Sequence, residues 1–155
     1  MRIAYHGRSR QPDVPYPFYE TPAALAAAVS HLVLCCPGGA VTRHMIDAEV
    51  LRALGPHGFL VNIARGSVVD EAALVEACRG RAIAGAALDV FEAEPNIPAA
   101  LFQLENVIVQ PHQASATVET RKAMGDLMID NLVRHFAGQP VLTPVDRGPG
   151  RGLKP

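Results

Sequence analysis

Short apolar runs alternate with amphipathic or alanine-rich segments through most of this chain, and that alternation limits the fold more than any other feature. Parallel strands cannot be joined by a tight turn and need a crossover, usually a helix, so this rhythm specifies a parallel α/β sheet. Residues 2–6 form a first candidate strand. The segment after it, Gln11 to Tyr19, carries Pro12, Pro15 and Pro17 and reads as an irregular loop, because proline disfavours both helix interiors and central strands. Thr21 then caps a short helix over Pro22–Val29, with proline at the helix position where its missing N–H does no harm. A buried strand is expected at His31–Cys36. Thr42 is expected to open a second helix, with Ile46, Val50 and Leu54 at four-residue spacing and Gly55-Pro56 as its stop. The next strand is Phe59–Ile63. Asp70 caps a third helix that ends near Gly80, and Ala82–Asp89 and Val107–Val109 supply two more strands. A last helix, about Val118 to Ala137, places Met124, Met128, Leu132 and Phe136 on one face, and Gly138 stops it. The fold is therefore expected over 1–145, with 146–155, which includes Arg147-Gly-Pro-Gly-Arg-Gly, as a disordered tail.

Composition narrows the class. A chain of 155 residues can bury one real core, and one domain is expected. With 49% hydrophobic and 19% charged residues and a net charge of −1, it offers no electrostatic case for nucleic acid or for an anionic membrane. The longest apolar stretch, Ala23 to Cys36, is interrupted by Ser30 and His31 and falls short of the roughly 20 residues that span a bilayer. The opening Met-Arg-Ile-Ala-Tyr-His has no signal-like apolar stretch, so a cytoplasmic location is expected. Cys35, Cys36 and Cys78 form neither a disulfide framework nor a metal cluster and are read as reduced and buried; no metal site is expected.

Open α/β sheets place ligands at the carboxyl ends of their strands, which directs attention to four segments. After the first candidate strand come Arg8, Ser9 and Arg10, with no acid before Asp13. Two guanidinium groups around a hydroxyl suit a phosphate dianion, although a solvated basic loop reads the same way. The loop Cys36-Pro37-Gly38-Gly39-Ala40-Val41-Thr42 could lie against a ribose or pyrophosphate, or be an ordinary strand-to-helix turn. Ile63-Ala64-Arg65-Gly66 puts an arginine directly after a strand, where a partly buried cation is costly unless it faces an anion such as a substrate carboxylate or a structural acid. Finally, His112 follows the last strand, and Glu94 could reach it to keep the imidazole charged near neutral pH. A hydrogen-bonded structural histidine remains the alternative.

These segments resemble one family. Val-Asn-Ile-Ala-Arg-Gly-Ser-Val-Val-Asp-Glu-Ala-Ala-Leu at 61–74, Gly-Ala-Ala-Leu-Asp-Val-Phe-Glu-Ala-Glu-Pro at 85–95 and Pro-His-Gln-Ala-Ser-Ala-Thr-Val-Glu-Thr-Arg at 111–121 are similar, in order and in spacing, to successive motifs of the D-isomer-specific 2-hydroxyacid dehydrogenases. The resemblance implies a Rossmann-like α/β fold and NAD(P)H-dependent reduction of a small 2-oxo acid such as glyoxylate or hydroxypyruvate. It implies that Arg65 holds the substrate carboxylate and carbonyl, that His112 donates and accepts the proton, and that Glu94 orients the imidazole. Asp89 would meet the nicotinamide end, with Cys36, Pro37, Thr42, Ile63, Arg65, His112 and Ala114 also on the cofactor side, and Arg8, Ser9 and Arg10 would favour NADP over NAD. Gln113-Ala114 stands where the family commonly has Ile-Gly.

The sequence contains no G-x-G-x-x-G, the loop that cradles a dinucleotide pyrophosphate at a helix N-terminus. By the resemblance, residues 2–6 correspond to the family's second cofactor-domain strand, so the first βα unit and the substrate domain are missing and the sheet is truncated. The chain is then expected to have little dehydrogenase activity alone, and a homodimer or a complementing amino-terminal fragment is a plausible partner. A non-catalytic dinucleotide-binding or interaction module is the competing reading. Joint retention of Arg65, Glu94 and His112 argues against it.

Overall fold

The computed structural model describes residues 1–145; the expected tail, 146–155, lies outside the described residues. Four parallel strands, β1 (His31–Leu34), β2 (Phe59–Asn62), β3 (Gly85–Leu88) and β4 (Val107–Val109), pair in chain order. The register sets Val33 beside Val61 and Val61 beside Ala87, so equivalent side chains line up across the sheet. Helix α1 (Pro22–Ala28) precedes β1, α2 (Ala48–Leu54) and α3 (Glu71–Arg79) join β1 to β2 and β2 to β3, a short 3-10 helix over Ala99–Gln103 lies between β3 and β4, and α4 (Val118–Phe136) follows. This is the parallel, Rossmann-like sheet that the alternating sequence pattern specifies.

Two units divide the chain, one ending at Gln113 and the other beginning at Ala114. In the first, Leu32, Leu34, Leu60, Ala86 and Leu88 face a core completed by Leu25 and Ala26 of α1, Val50, Leu51 and Leu54 of α2, and Leu74, Val75 and Cys78 of α3. The opposite sheet face is more open: Val33, Phe59 and Ile108 are exposed. In the second unit, Thr117 Oγ1 accepts the Thr120 N–H at 3.2 Å to start α4, and Gly138 leaves it at φ 70°. Met124, Met128, Leu132 and Phe136 of α4 are exposed.

Local chemistry explains the helix starts. Thr21 Oγ1 accepts the Ala24 N–H at 3.1 Å, and Asp70 Oδ1 accepts the Ala73 N–H at 3.0 Å, each satisfying an orphan donor of a first turn. The start expected at Thr42 is corrected. Asp47 caps α2, accepting from Glu49 and Val50 at 2.9 and 3.0 Å, whereas Thr42 Oγ1 donates to Pro37 O at 2.9 Å and closes the preceding turn. Ile46, assigned above to that helix, lies before it and makes an isolated parallel bridge to Val69. A carboxylate with two amide partners outcompetes a hydroxyl whose proton is already given to a carbonyl.

Residues 2–6 also differ from expectation, since they do not join the sheet. Tyr5 donates its N–H to Pro17 O and accepts from Tyr19 N, both at 2.9 Å, so its backbone groups are satisfied by the proline-rich loop, and β1 is left as an edge strand. The strand expected at His31–Cys36 stops at Leu34. Consequently Cys35 is exposed and Cys36 half-buried, and only Cys78 is buried as expected, its thiol pushed up to about 11 by desolvation.

Candidate active site

The carboxyl ends of all four strands open onto one cleft of about 860 Å³. Its walls are Cys35 to Gly38 after β1, Ile63 to Ser67 after β2, Phe91, Glu92 and Glu94 after β3, and His112 after β4. Concentration at the carboxyl ends follows from parallel topology: every crossover loop leaves the sheet on that side.

Arg65 is presented by a turn that Asn62 builds. Asn62, 1% exposed at the end of β2, accepts the Ala64 N–H at 3.0 Å and donates to Arg65 O at 3.1 Å. Both ends of its amide are thereby used, and the chain curls outward one residue later. The Arg65 stem crosses Gly38, where an added Cβ would stand 2.8 Å from its Cγ, so a glycine there gives the arginine room to lie across the loop. Its Nη1 donates to Ala64 O at 2.6 Å. Among the described residues no carboxylate lies within ion-pair distance of Arg65, so none of them is the structural acid that the sequence left open as its partner.

Gly66 permits the closest approach in the site. A Cβ built there would come within 1.8 Å of the Phe91 carbonyl carbon, so the backbone after β2 rests directly on the backbone after β3. That contact fixes the Arg65 segment against the segment that carries Glu94. Glu94 Oε1 accepts the Phe91 N–H at 2.8 Å, and Oε2 meets His112 Nδ1 at 2.7 Å. The hydrogen bond with His112 holds the Glu94 carboxyl below the ordinary carboxylate range, against some desolvation, and the Phe91 N–H and the charges of His112 and Arg65 act in the same direction. His112 itself sits at φ 51°, the left-handed region that costs a residue with a Cβ backbone energy and that surrounding structure must enforce. Asp89 contributes to that enforcement: 6% exposed at the end of β3, its Oδ1 accepts the Gln113 N–H at 2.8 Å and anchors the residue after the histidine.

Beside this pair is a second charged group. Glu92 Oε1 lies 3.0 Å from His44 Nε2 and 2.6 Å from Arg43 Nη2; the His44 hydrogen bond chiefly, with the Arg43 charge, holds its carboxyl below the ordinary range against some desolvation, and its N–H donates to Glu71 Oε1 at 2.7 Å. Glu71 responds in the other direction. Burial and the charges of Glu92 and Glu94 push its carboxyl up, opposed by the Glu92 N–H and by His44.

The cleft thus brings together Arg65, Glu94, His112, Ile63, Cys36 and Pro37 from the sequence-derived set. It does not bring in the rest. Arg8, Ser9 and Arg10 form an exposed segment held by Gln11, whose Nε2 donates to Ser9 O at 3.3 Å, and they do not line the cleft. Thr42 acts in the turn described above, Asp89 stands behind the His112 segment, and Ala114 begins the second unit. Asn62, Gly38, Gly66, Glu71, Arg43 and His44 went unassigned in sequence. Asn62 and Glu71 stand inside the 61–74 motif, which is the signal that could have singled them out; nothing local marks Arg43 or His44.

An arginine and a carboxylate-paired histidine facing one cleft at the carboxyl edge of a parallel sheet coincide with a family match. Residues 1–114 fit the profile of the D-isomer specific 2-hydroxyacid dehydrogenase NAD-binding domain. This chain belongs to the D-isomer specific 2-hydroxyacid dehydrogenases. It is 50% identical over 143 residues to the glyoxylate/hydroxypyruvate reductase A of Arabidopsis thaliana, covering 92% of this chain and 46% of that protein. It is also 50% identical over 145 residues to the 2-ketogluconate reductase of Gluconobacter oxydans, with 94% and 47% covered. Among solved structures, the NADPH-dependent glyoxylate/hydroxypyruvate reductase of Sinorhizobium meliloti in complex with NADP and malonate superposes with a TM-score of 0.90 at 49% identity, over 97% of this chain and 47% of that one. The chain spans about half the length of the dehydrogenases it matches. No helix among the described residues is long and apolar enough to cross a membrane, and no group of three or more His, Cys, Asp or Glu among them is arranged to hold a metal ion.

Proposed function

We propose that this cleft is the catalytic face of an NADPH-dependent reductase of small 2-oxo acids of the glyoxylate or hydroxypyruvate kind. The observation that carries the reading is the 2.7 Å Glu94–His112 pair on the same cleft as Arg65, a guanidinium that makes no ion pair among the described residues. Reduction of a 2-oxo acid requires a cation for the carboxylate and the developing alkoxide, and an acid that can protonate the oxygen near neutral pH. Arg65 supplies the first, with paired donors that match a carboxylate and the adjacent carbonyl. His112 supplies the second. With Nδ1 engaged by Glu94, proton transfer to the substrate oxygen falls to Nε2, and the carboxylate stabilises the imidazolium before the proton leaves. The residues present suit a nicotinamide: Pro37 and Ile63 offer apolar surface on the cleft wall, and Gly38 keeps the Arg65 stem low beside them. When bound, the reduced cofactor supplies the hydride to the carbonyl carbon. Cys36, Pro37 and Ile63 would hold its nicotinamide half, with Thr42 on the same side and Asp89 supporting that end from behind the His112 segment, and the Arg8-Ser9-Arg10 segment would take the 2′-phosphate of the adenosine ribose.

The experiment joins the amino-terminal half of the Sinorhizobium meliloti relative to these 155 residues and follows NADPH-dependent reduction of glyoxylate and hydroxypyruvate. Arg65→Gln should lower kcat/KM about a hundredfold or more, since it removes charge-assisted bonds to the substrate anion. A variant with unchanged kcat/KM would place the substrate elsewhere.

A further inference from the structure

The cleft accounts for Arg65, Glu94 and His112, but not for the half-buried carboxylate of Glu71. This residue opens α3, where Asp70 already caps the helix, so no helix donor requires its carboxylate. It reaches instead across 21 positions of sequence to the Glu92 N–H at 2.7 Å. The turn it touches is the one that presents Glu94. Phe91 is anchored in the core at 4% exposure, its N–H goes to Glu94 Oε1, and the Asn96 N–H closes on Ala93 O at 2.8 Å. Between those anchors, the Glu92 N–H is the backbone group whose direction sets where residues 93 and 94 go, and Glu71 is its partner. The Glu92 carboxylate is turned to Arg43 and His44, which leaves the Glu71 acceptor to the backbone alone.

We infer that Glu71 is a positioning residue for the reaction: by fixing the Glu92 N–H it sets the turn that holds Glu94 against His112. The inference rests on the roles proposed for Glu94 and His112. An acceptor on α3 is well suited to this, because α3 follows the Arg65–Gly66 segment directly. The rigid connection therefore ties the carboxylate-binding arginine and the acid–base pair to one element, and a shift of about 1 Å at a reacting group can cost on the order of a hundredfold in rate.

The same geometry gives a test whose sign separates positioning from charge. The groups facing Glu94 are His112, Arg65 and the nearby Glu71, with Arg43 and His44 on Glu92 beside it. If Glu71 acted only as a neighbouring negative charge, its removal would leave Glu94 where it is or lower it further. If it positions the turn, its removal loosens the His112 bond that holds Glu94 down, and the Glu94 carboxyl rises toward the ordinary range. The measurement is carboxyl-carbon NMR titration of Glu94 in the full chain, for the unmodified protein, Glu71→Ala and Glu71→Gln. Glu71→Ala should raise Glu94 and speed exchange of the Glu92 amide, while Glu71→Gln, whose side-chain oxygen still accepts the Glu92 N–H, should hold both near their original values. Should Glu71→Ala fail to fold, Glu71→Asp, one methylene too short to reach, takes its place. In the chimeric reductase the same loss should lower kcat about tenfold to a hundredfold with KM changed less than about threefold, and Glu71→Gln should restore it. An unchanged or lowered Glu94 in Glu71→Ala, or a Glu71→Gln that behaves like alanine, overturns the inference. Because the titration needs no turnover, it decides the role of Glu71 even if the chimera reduces no 2-oxo acid, a result that would count against the proposed function alone.

Discussion

Glu94 shows how much of the site is decided by single groups. Its carboxyl is held below the ordinary range chiefly by the His112 hydrogen bond. A glutamate in an unfolded chain titrates near 4.3, so the stability this pair contributes is complete above about that pH and is lost as pH falls through the lower folded value. Glu94→Gln lacks that contribution, and its Tm should fall less steeply than that of the unmodified chain as pH is lowered below about 4.5. Parallel Tm–pH curves would show that the pair is not formed in solution. That Arg65, Glu94 and His112 belong together was legible in the sequence because an arginine and a histidine directly after strands, with a glutamate in reach, face the ligand side of a parallel sheet, and the cleft does bring the three together. What fixes them was not legible. Asn62 looks like any polar residue at the end of a strand until its two amide bonds are seen, and Glu71 looks like an ordinary acid in a first helical turn.

At the level of elements, the reading from sequence succeeded where one local force dominates. Pro22 and Gly138 mark helix limits by their backbone chemistry and Asp70 by its capping carboxylate, and α1, α3 and α4 fall within a residue or so of where they were expected. It failed where two signals compete. Thr42 and Asp47 both suit a cap, and only the turn from Pro37 shows that the threonine is already occupied. Strand ends were overrun for a similar reason: Cys35 and Cys36 continue the apolar run of β1 but belong to the cleft wall. The Gly66 contact joins two loops that sequence places far apart, so nothing local foretells it. Gly66→Ala would drive a methyl into the Phe91 backbone, to within 1.8 Å of its carbonyl carbon. It should destabilise the chain by about 3 kcal/mol or more, a fall in Tm on the order of 10 °C. A Tm unchanged within about 2 °C would mean that the two loops are not in contact.

For the whole molecule, the parallel sheet places its reactive groups at one edge and leaves the opposite face of β1 to β4 open, with Val33, Phe59 and Ile108 exposed, where such sheets are usually covered on both faces. The expected alternation of elements was therefore right, while the strand expected at residues 2–6 is reduced to an isolated parallel bridge between Tyr5 and Phe18, outside the four-stranded sheet. Cofactor choice also belongs to this scale, since Arg8 and Arg10 lie off the cleft. In the chimera, replacing both by glutamine should weaken NADPH about tenfold or more and leave NADH within about twofold, as loss of phosphate-paired charge requires; equal weakening of both cofactors would assign the segment another role. The central claim is that His112, set by Glu94, moves the proton. Asparagine tolerates the left-handed backbone that this position adopts, so His112→Asn removes the imidazole without adding strain. The most direct measurement is kcat for glyoxylate in the chimera carrying His112→Asn. A loss of about a hundredfold or more with NADPH affinity retained is the predicted result, and a kcat within about threefold of the unmodified chimera would contradict it.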